Sequence, residues 1–462
     1  MNLPKVELLR NVLVEKQTTF LFGAGASTPF FSSLGNIENV LSDLYLNDNG
    51  KKLIKVLFYI KSIKDNYYLI RYMKGIEKND DKTALMIDIL DKYTCFIHNV
   101  VEFMKLRNSR ISPRRTNIVT TNYDLFFEAS IENILQQNSR IFFNDGSNGY
   151  IKRVLNTENF NKTLLHSGVF DNYYDEMPSI NLIKCHGSIN WSKSVKKNQR
   201  DRIQVNSNFN DINIMNTLLE NKLEVINHII AEESKVLIND INNLDDLFGL
   251  LNAQYTNELR TDINLLGDKV SSVLEKVFTF VNELQIVLPT KRKFQTTLIE
   301  EQYFNMLRFL SYELEKEQVV LIVFGFSFYD EHIVDVVERS LNNPSLLIFI
   351  FCYEDSTQTD IISRFSFSEG SIPGNIIFIK PSDFLEKKIE ISQYNVNDYP
   401  LNKKLKDDNF CYIYDPIIEL RDIGHNEGYR PIIDFKVFNK IIEGSLTNKY
   451  INKFYFGENE NE

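Results

Sequence analysis

Cysteine, tryptophan and long apolar runs are all scarce in this chain. The cysteines number four, Cys95, Cys185, Cys352 and Cys411, and stand far apart with no CxxC pair. That spacing excludes a zinc knuckle or a thioredoxin-like dithiol and leads us to expect no bound metal. It suits a reducing cytoplasm, in which thiols are buried rather than paired. The longest apolar runs, Val319–Phe324 and residues 346–352, have the length of strands and fall far short of a membrane span. The opening stretch MNLPKVELLRNVLVEK carries charges throughout, so it reads as an amphipathic helix rather than a signal peptide. Positive charge is in deficit, with 52 Lys and Arg against 62 Asp and Glu and a formal net charge of −10. A chain that grips nucleic acid alone needs clustered cations to neutralise phosphates. Lys196-Lys197 and Lys291-Arg292-Lys293 are too short to supply them. The expectation is a cytoplasmic protein with neither a membrane segment nor direct nucleic-acid contacts.

What the chain does have is a series of short β-branched and aromatic runs, each a candidate buried strand. They lie at 18–22 (TTFLF), 116–120 (TNIVT), 181–185 (NLIKC), Val319–Phe324 (VVLIVF), 346–352 (LLIFIFC) and Ile376–Ile379 (IIFI). Helical patterns fall between them, the longest from 51 to 105 and from 192 to 285. Strands alternating with helices predict an α/β fold, a Rossmann-like parallel sheet flanked by helices. Residues 1–385 form one expected domain, with large helical insertions at about 51–106 and 192–285. The weaker pattern of 386–462 is expected to be a small C-terminal extension.

Four clusters of small or polar residues each follow a predicted strand at once. They are Gly23-Ala24-Gly25-Ala26-Ser27, Thr121-Asn122-Tyr123-Asp124, His186-Gly187-Ser188 and Gly325-Phe326-Ser327-Phe328. Open α/β sheets bind ligands beyond the carboxyl ends of their strands, so four clusters on that edge would describe a site. A strand ending in small residues lets backbone N–H groups approach phosphate oxygens, although the same glycines also suit a tight turn with no ligand. A reusable redox dinucleotide fits poorly. Position 28 is Thr28 where the GxGxxG fingerprint needs glycine, and Asp43, spaced to hold a ribose, lies inside a helical pattern. A P-loop fails too, because no Lys-Ser or Lys-Thr closes the glycine turn. Each polar residue also has an ordinary structural role open to it. Asp124 and Asp330 suit helix N-caps, Asn122 an Asx turn, His186 a hydrogen-bonded structural histidine and Trp191 a packing anchor.

Taken in order, GAGAS, TTNYD, KCHGS and GFSF resemble the nucleotide-binding core of the sirtuin family, and most closely the sirtuin-like proteins of bacterial antiviral defence. The resemblance covers roughly residues 15–380 apart from the helical insertions, and takes in the Asn144-Asp145-Gly146 turn and Pro289-Thr290-Lys291. It implies that Gly23, Ala24, Gly25 and Ser27 hold the pyrophosphate of NAD. Thr121, Gly325, Ser327 and Asp330 complete the implied cofactor-binding set, with Gly325 and Ser327 on the adenosine side. Asn122, Asp124 and His186 would frame the scissile nicotinamide bond. Three departures stand out: Thr121 where the protein deacetylases have glutamine, no zinc-binding cysteine pairs after His186, and no Ile-Pro-Asp-Phe-Arg segment. They remove the module that builds an acetyl-lysine channel and leave NAD cleavage as the implied chemistry.

The resemblance therefore implies an NAD glycohydrolase that gives ADP-ribose and nicotinamide, with NAD as substrate and no metal, acting in antiphage defence by NAD depletion. It also implies a homo-oligomer and a partner, a HerA-type ATPase or another defence-system sensor, that holds the activity in check. An ADP-ribosyltransferase, a deacetylase or an NAD-binding regulatory subunit without turnover are the alternatives. The chemistry is consistent with these residue types. Cationic nicotinamide leaves an anomeric carbon with little acid assistance, so the protein has to supply orientation, a water and dipoles for the developing ribosyl cation.

Overall fold

The computed structural model describes residues 3–31, 37–76, 80–107, 113–137, 140–167, 175–194, 202–207, 210–287, 297–367, 372–390, 392, 404–406, 409–422 and 429–446. Its central sheet has seven strands: β1 Gln17–Phe22, β2 Arg115–Thr120, β3 Phe142–Asn144, β4 Ser179–Lys184, β5 Val319–Phe324, β6 Leu347–Phe351 and β7 Ile376–Ile379. Their order is β7-β6-β5-β1-β2-β4-β3, and every pairing is parallel. This is the Rossmann-like α/β architecture that the alternation of strands and helices predicts. β1 and β5 are buried along their whole length, which is why they read as unbroken runs rather than alternating ones.

Helices cover both faces. In chain order the principal ones are α1 Leu3–Glu15, α2 Asp48–Ser62, α3 Asp81–Leu106, α4 Phe126–Gln137, α5 Asn210–Glu233, α6 Leu244–Ala253, α7 Asn257–Glu283, α8 Thr297–Leu314, α9 Glu331–Ser340 and α10 Phe435–Leu446. On one face α3 brings Phe96 to 4.8 Å from Phe22, ring centre to ring centre. α10 completes that cluster, with Phe438 at 4.5 Å from Phe324 and 4.7 Å from Phe351. The segment expected as a C-terminal extension thus contributes α10 to the main core. On the other face Leu310, Val337 and Ile361 pack against Leu321 and Ile348.

The two helical insertions meet in a single lobe, where α2 and α7 cross on glycines. A Cβ on Gly267 would lie 2.5 Å from the Gly50 backbone nitrogen, so α7 has no room for a side chain there. At the start of α2, Asn47 N–H donates to Asn264 Oδ1 at 2.8 Å. One stretch departs from expectation. At the start of the expected helical insertion of 192–285, Trp191–Ser194 and Arg202–Val205 are strands that pair antiparallel, and the second also pairs with Arg153–Leu155. No described helix is long and apolar enough to cross a membrane.

Candidate functional site at the carboxyl edge of the sheet

Phe324, Phe22, Thr120 and Lys184 stand on one rung across β5, β1, β2 and β4. The segments that follow them leave the sheet side by side, and they are the four clusters the sequence marks. The same edge is where the topology reverses. Strands β1 to β4 build one half, and the chain then returns to lay β5 on the opposite side of β1. That reversal creates the crevice in which open α/β sheets bind ligands.

Between β1 and β5 the two glycine turns pack backbone to backbone. Gly23 N–H donates to Phe324 O at 3.2 Å, and Gly25 N–H donates to Gly325 O at 3.0 Å. A Cβ on Gly23 would lie 2.4 Å from Gly325 O. Gly325 has φ +63° and stands so near Ala26 N that a Cβ would come within 2.7 Å of it. The close contact of the turns is thus enough to require these glycines. Phe328 also has positive φ, +57°, an unfavourable setting for a bulky residue that is held by packing against Phe326 and Phe365. Ala24, Gly25 and Ser327 are exposed. A cavity of about 620 Å³ opens beside the turns, lined by Gly25, Gly325, Ser327, Tyr353, Arg421 and Phe435 among others. Residues 419–421 and 432–435 supply one of its walls, a contribution that no sequence motif announces.

Beneath the glycine loop lies a buried polar network. Ser27 Oγ donates to Asp124 Oδ2 at 2.7 Å and lies 2.8 Å from Tyr93 OH. Asn122 Nδ2 donates to Gly23 O at 3.1 Å and to Ser27 Oγ at 3.2 Å. Asp124 Oδ1 accepts the Phe126 N–H at 3.2 Å, the capping role open to it at the start of α4. Asp124 thus buttresses the glycine loop from behind through Ser27. Burial pushes its carboxyl above the usual range, against the pull of the Lys184 charge and the hydrogen bonds from Ser27 and Phe126. Lys184 is buried as well. Its ammonium donates to Asp124 O, and at 2.9 Å to both Glu128 Oε1 and Ser188 Oγ. Burial followed by the Asp124 charge holds Tyr93 well above the ordinary phenol range, so it stays protonated and donates to Ser27.

His186 is half-buried, and its Nε2 lies 2.7 Å from Asp330 Oδ2. Asp330 caps α9, accepting the His332 N–H at 3.0 Å and the Ile333 N–H at 3.4 Å on Oδ1. Tyr303 OH lies 3.2 Å from each of its oxygens. Asp330 thus fills the cap and joins His186. Burial and then the Asp330 charge raise both the Tyr303 phenol and the Cys185 thiol, which keeps the first a donor and the second inert. Gly187, at φ +84°, lets residues 285–287 run across the His186 turn, because a Cβ would lie 2.2 Å from Gln285 O. Val287 N–H then donates to His186 O, and Tyr123 OH to Val287 O, each at 2.8 Å.

The remaining expected residues fall out plainly. Thr121 N–H donates to Phe22 O at 3.2 Å and prolongs the β1–β2 ladder. Asp43 accepts from Tyr255 OH at 2.8 Å and Arg260 at 3.2 Å, so it ties the helical lobe together. Asn144 bonds the β4 residue Asn181 at 3.0 Å. Pro289-Thr290-Lys291, Lys291-Arg292-Lys293 and Lys196-Lys197 lie outside the described residues. Tyr93, Tyr303 and Val287 belong to no motif, since their place depends on chain segments far from the clusters they touch. Among the described residues no group of three or more His, Cys, Asp or Glu is arranged to hold a metal. Compared with models of known protein families and with curated proteins, the chain matches none.

Proposed function

We propose that this chain is an NAD glycohydrolase, with NAD as a substrate that is consumed. The observation that carries the reading is the single rung from which the glycine loop, Asn122, His186 and Gly325 all depart, beside a cavity of about 620 Å³. Such a volume lies within the ~300–1,000 Å³ of small-molecule sites. In this reading the adenosine half enters the cavity between Ser327 and the wall formed by residues 419–421 and 432–435, and residues 23–27 flank the pyrophosphate. The nicotinamide ribose reaches Asn122 and His186.

The C1′–N bond breaks and its electron pair goes to the pyridinium nitrogen, so nicotinamide leaves neutral. A water oxygen bonds C1′ and its released proton passes to His186 and on to solvent. The products are ADP-ribose, nicotinamide and one proton. Asn122 Nδ2 is committed to Gly23 O and Ser27 Oγ, so its carbonyl oxygen is the atom that would order the water. Asp124 and Tyr93 hold that arrangement from below through Ser27. The motif resemblance supports the wider setting we propose: cytoplasmic action in antiphage defence, as an oligomer restrained by a HerA-type ATPase or another sensor. Incubation of the purified chain with NAD, with the products separated by chromatography, tests the activity. Equimolar nicotinamide and free ADP-ribose support hydrolysis. ADP-ribose attached to protein would make the chain a transferase, and intact NAD would overturn the proposal.

A further inference from the structure

Asp330 is surrounded by hydrogen-bond donors. The backbone N–H groups of His332 and Ile333 reach Oδ1, and the Tyr303 hydroxyl reaches both oxygens. A carboxylate in that setting accepts, so the imidazole nitrogen 2.7 Å from Oδ2 is the one that carries hydrogen. The pair also joins parts of the sheet that are not neighbours. His186 follows β4 and Asp330 follows β5, and β1 and β2 lie between those strands. At ~4.8 Å per strand the separation is roughly 14 Å. The contact therefore spans the ends of the two strands that carry Gly23 and Asn122.

We infer that Asp330, clamped by Tyr303, is a positioning residue that holds His186 as its Nε2–H tautomer, so that Nδ1 is the nitrogen that takes the proton. The inference rests on the reading of His186 as base for its consequence, and on geometry alone for the pairing. A carboxylate behind an imidazole fixes the ring's orientation and stabilises the imidazolium once the proton has moved. Tyr303 does the same for Asp330 in turn. It approaches from α8 while the α9 backbone holds the other side, so the carboxylate cannot rotate away without losing bonds on both.

Two variants separate positioning from mere folding. Asp330→Asn keeps the cap of α9, since asparagine caps about as well as aspartate, but replaces one acceptor oxygen with a donor. Tyr303→Phe removes only the clamp hydroxyl. With six histidines in the chain, ring-¹⁵N-histidine NMR gives a spectrum simple enough to assign by His186→Gln. The expected result is a downfield, slowly exchanging Nε2–H resonance of His186 in the wild-type protein without any substrate. It is lost in Asp330→Asn and weakened in Tyr303→Phe. NAD turnover in Asp330→Asn is expected to show kcat reduced about 100-fold with KM little changed. Absence of the resonance from wild-type protein, its persistence in Asp330→Asn, or an unchanged kcat after its loss would each overturn the inference. A wild-type protein that shows the resonance yet leaves NAD intact would instead sink the glycohydrolase reading and leave the pairing in place.

Discussion

At Gly325 a single methyl group has nowhere to go. The backbone there is left-handed, and a Cβ would meet Ala26 N at 2.7 Å across the two glycine turns. Gly325→Ala is expected to cost about 1–3 kcal/mol, seen as a lower urea midpoint with an unchanged slope; a wild-type midpoint would contradict the packing described. Asp124 gives a prediction of another kind. Burial raises its folded pKa above that of the unfolded chain. Its contribution to stability is then complete below the ordinary carboxylate value of ~3.9, and is lost as pH rises through the higher folded value. Asp124→Asn removes that titration, so urea unfolding from about pH 4 to about pH 8 should fall less in the variant than in the wild type. An equal fall in both would show that Asp124 is already ionised at low pH. Asp43 has the opposite sign. Burial alone would raise it, but bonds from the Tyr45 N–H, Tyr255 and Arg260 outweigh this and hold it below the usual range. Its contribution is present above the ordinary carboxylate value and is lost as pH falls through the lower folded one.

Among the elements, α10 lies in the segment expected as a peripheral extension yet has one of the largest roles in the core. Phe438 is fully buried between Phe324 and Phe351. Phe438→Ala is expected to cost about 3–5 kcal/mol. Tyr150→Ala, at a side chain 98% exposed, should change stability by less than about 0.5 kcal/mol. Comparable losses in thermal denaturation would argue against α10 as a core element. The strands were legible because full burial writes itself as apolar runs, as in VVLIVF. β3 was not, because three edge residues are too few to show a period. At the start of the expected helical insertion of 192–285, the surrounding Asn, Lys and Glu mask two four-residue strands in the sequence, whose Trp191, Ile203 and Val205 are buried in the core. Register is fixed by side chains that look unremarkable in sequence. Asn117, Asn181 and Asn144 lie on one rung of β2, β4 and β3 and bond across it at 2.8 and 3.0 Å. A slip of one residue would strand all three amides in the interior.

In the whole molecule, five regions far apart in sequence converge on one edge of the sheet: residues 23–27, 121–124, 186–188, 325–330, and 419–421 together with 432–435. The first four were legible because each follows its strand directly. The fifth was not, since it arrives only through the fold of the C-terminal segment and the seating of α10. The pairing of His186 with Asp330, 144 residues apart, is likewise a product of topology. The Gly50–Gly267 crossing shows that the two insertions are built as one lobe. Removing either would therefore expose the core of the other, and point variants are the better probe of the site. The most direct measurement is nicotinamide release from NAD by the wild-type chain, Asn122→Ala and His186→Ala, with each protein's fold checked by circular dichroism. The expected result is release matched by ADP-ribose in the wild type, reduced at least about 100-fold in both variants with the fold retained. Equal rates in all three, or no release by the wild type, would contradict the assignment of this edge as an NAD-cleaving site.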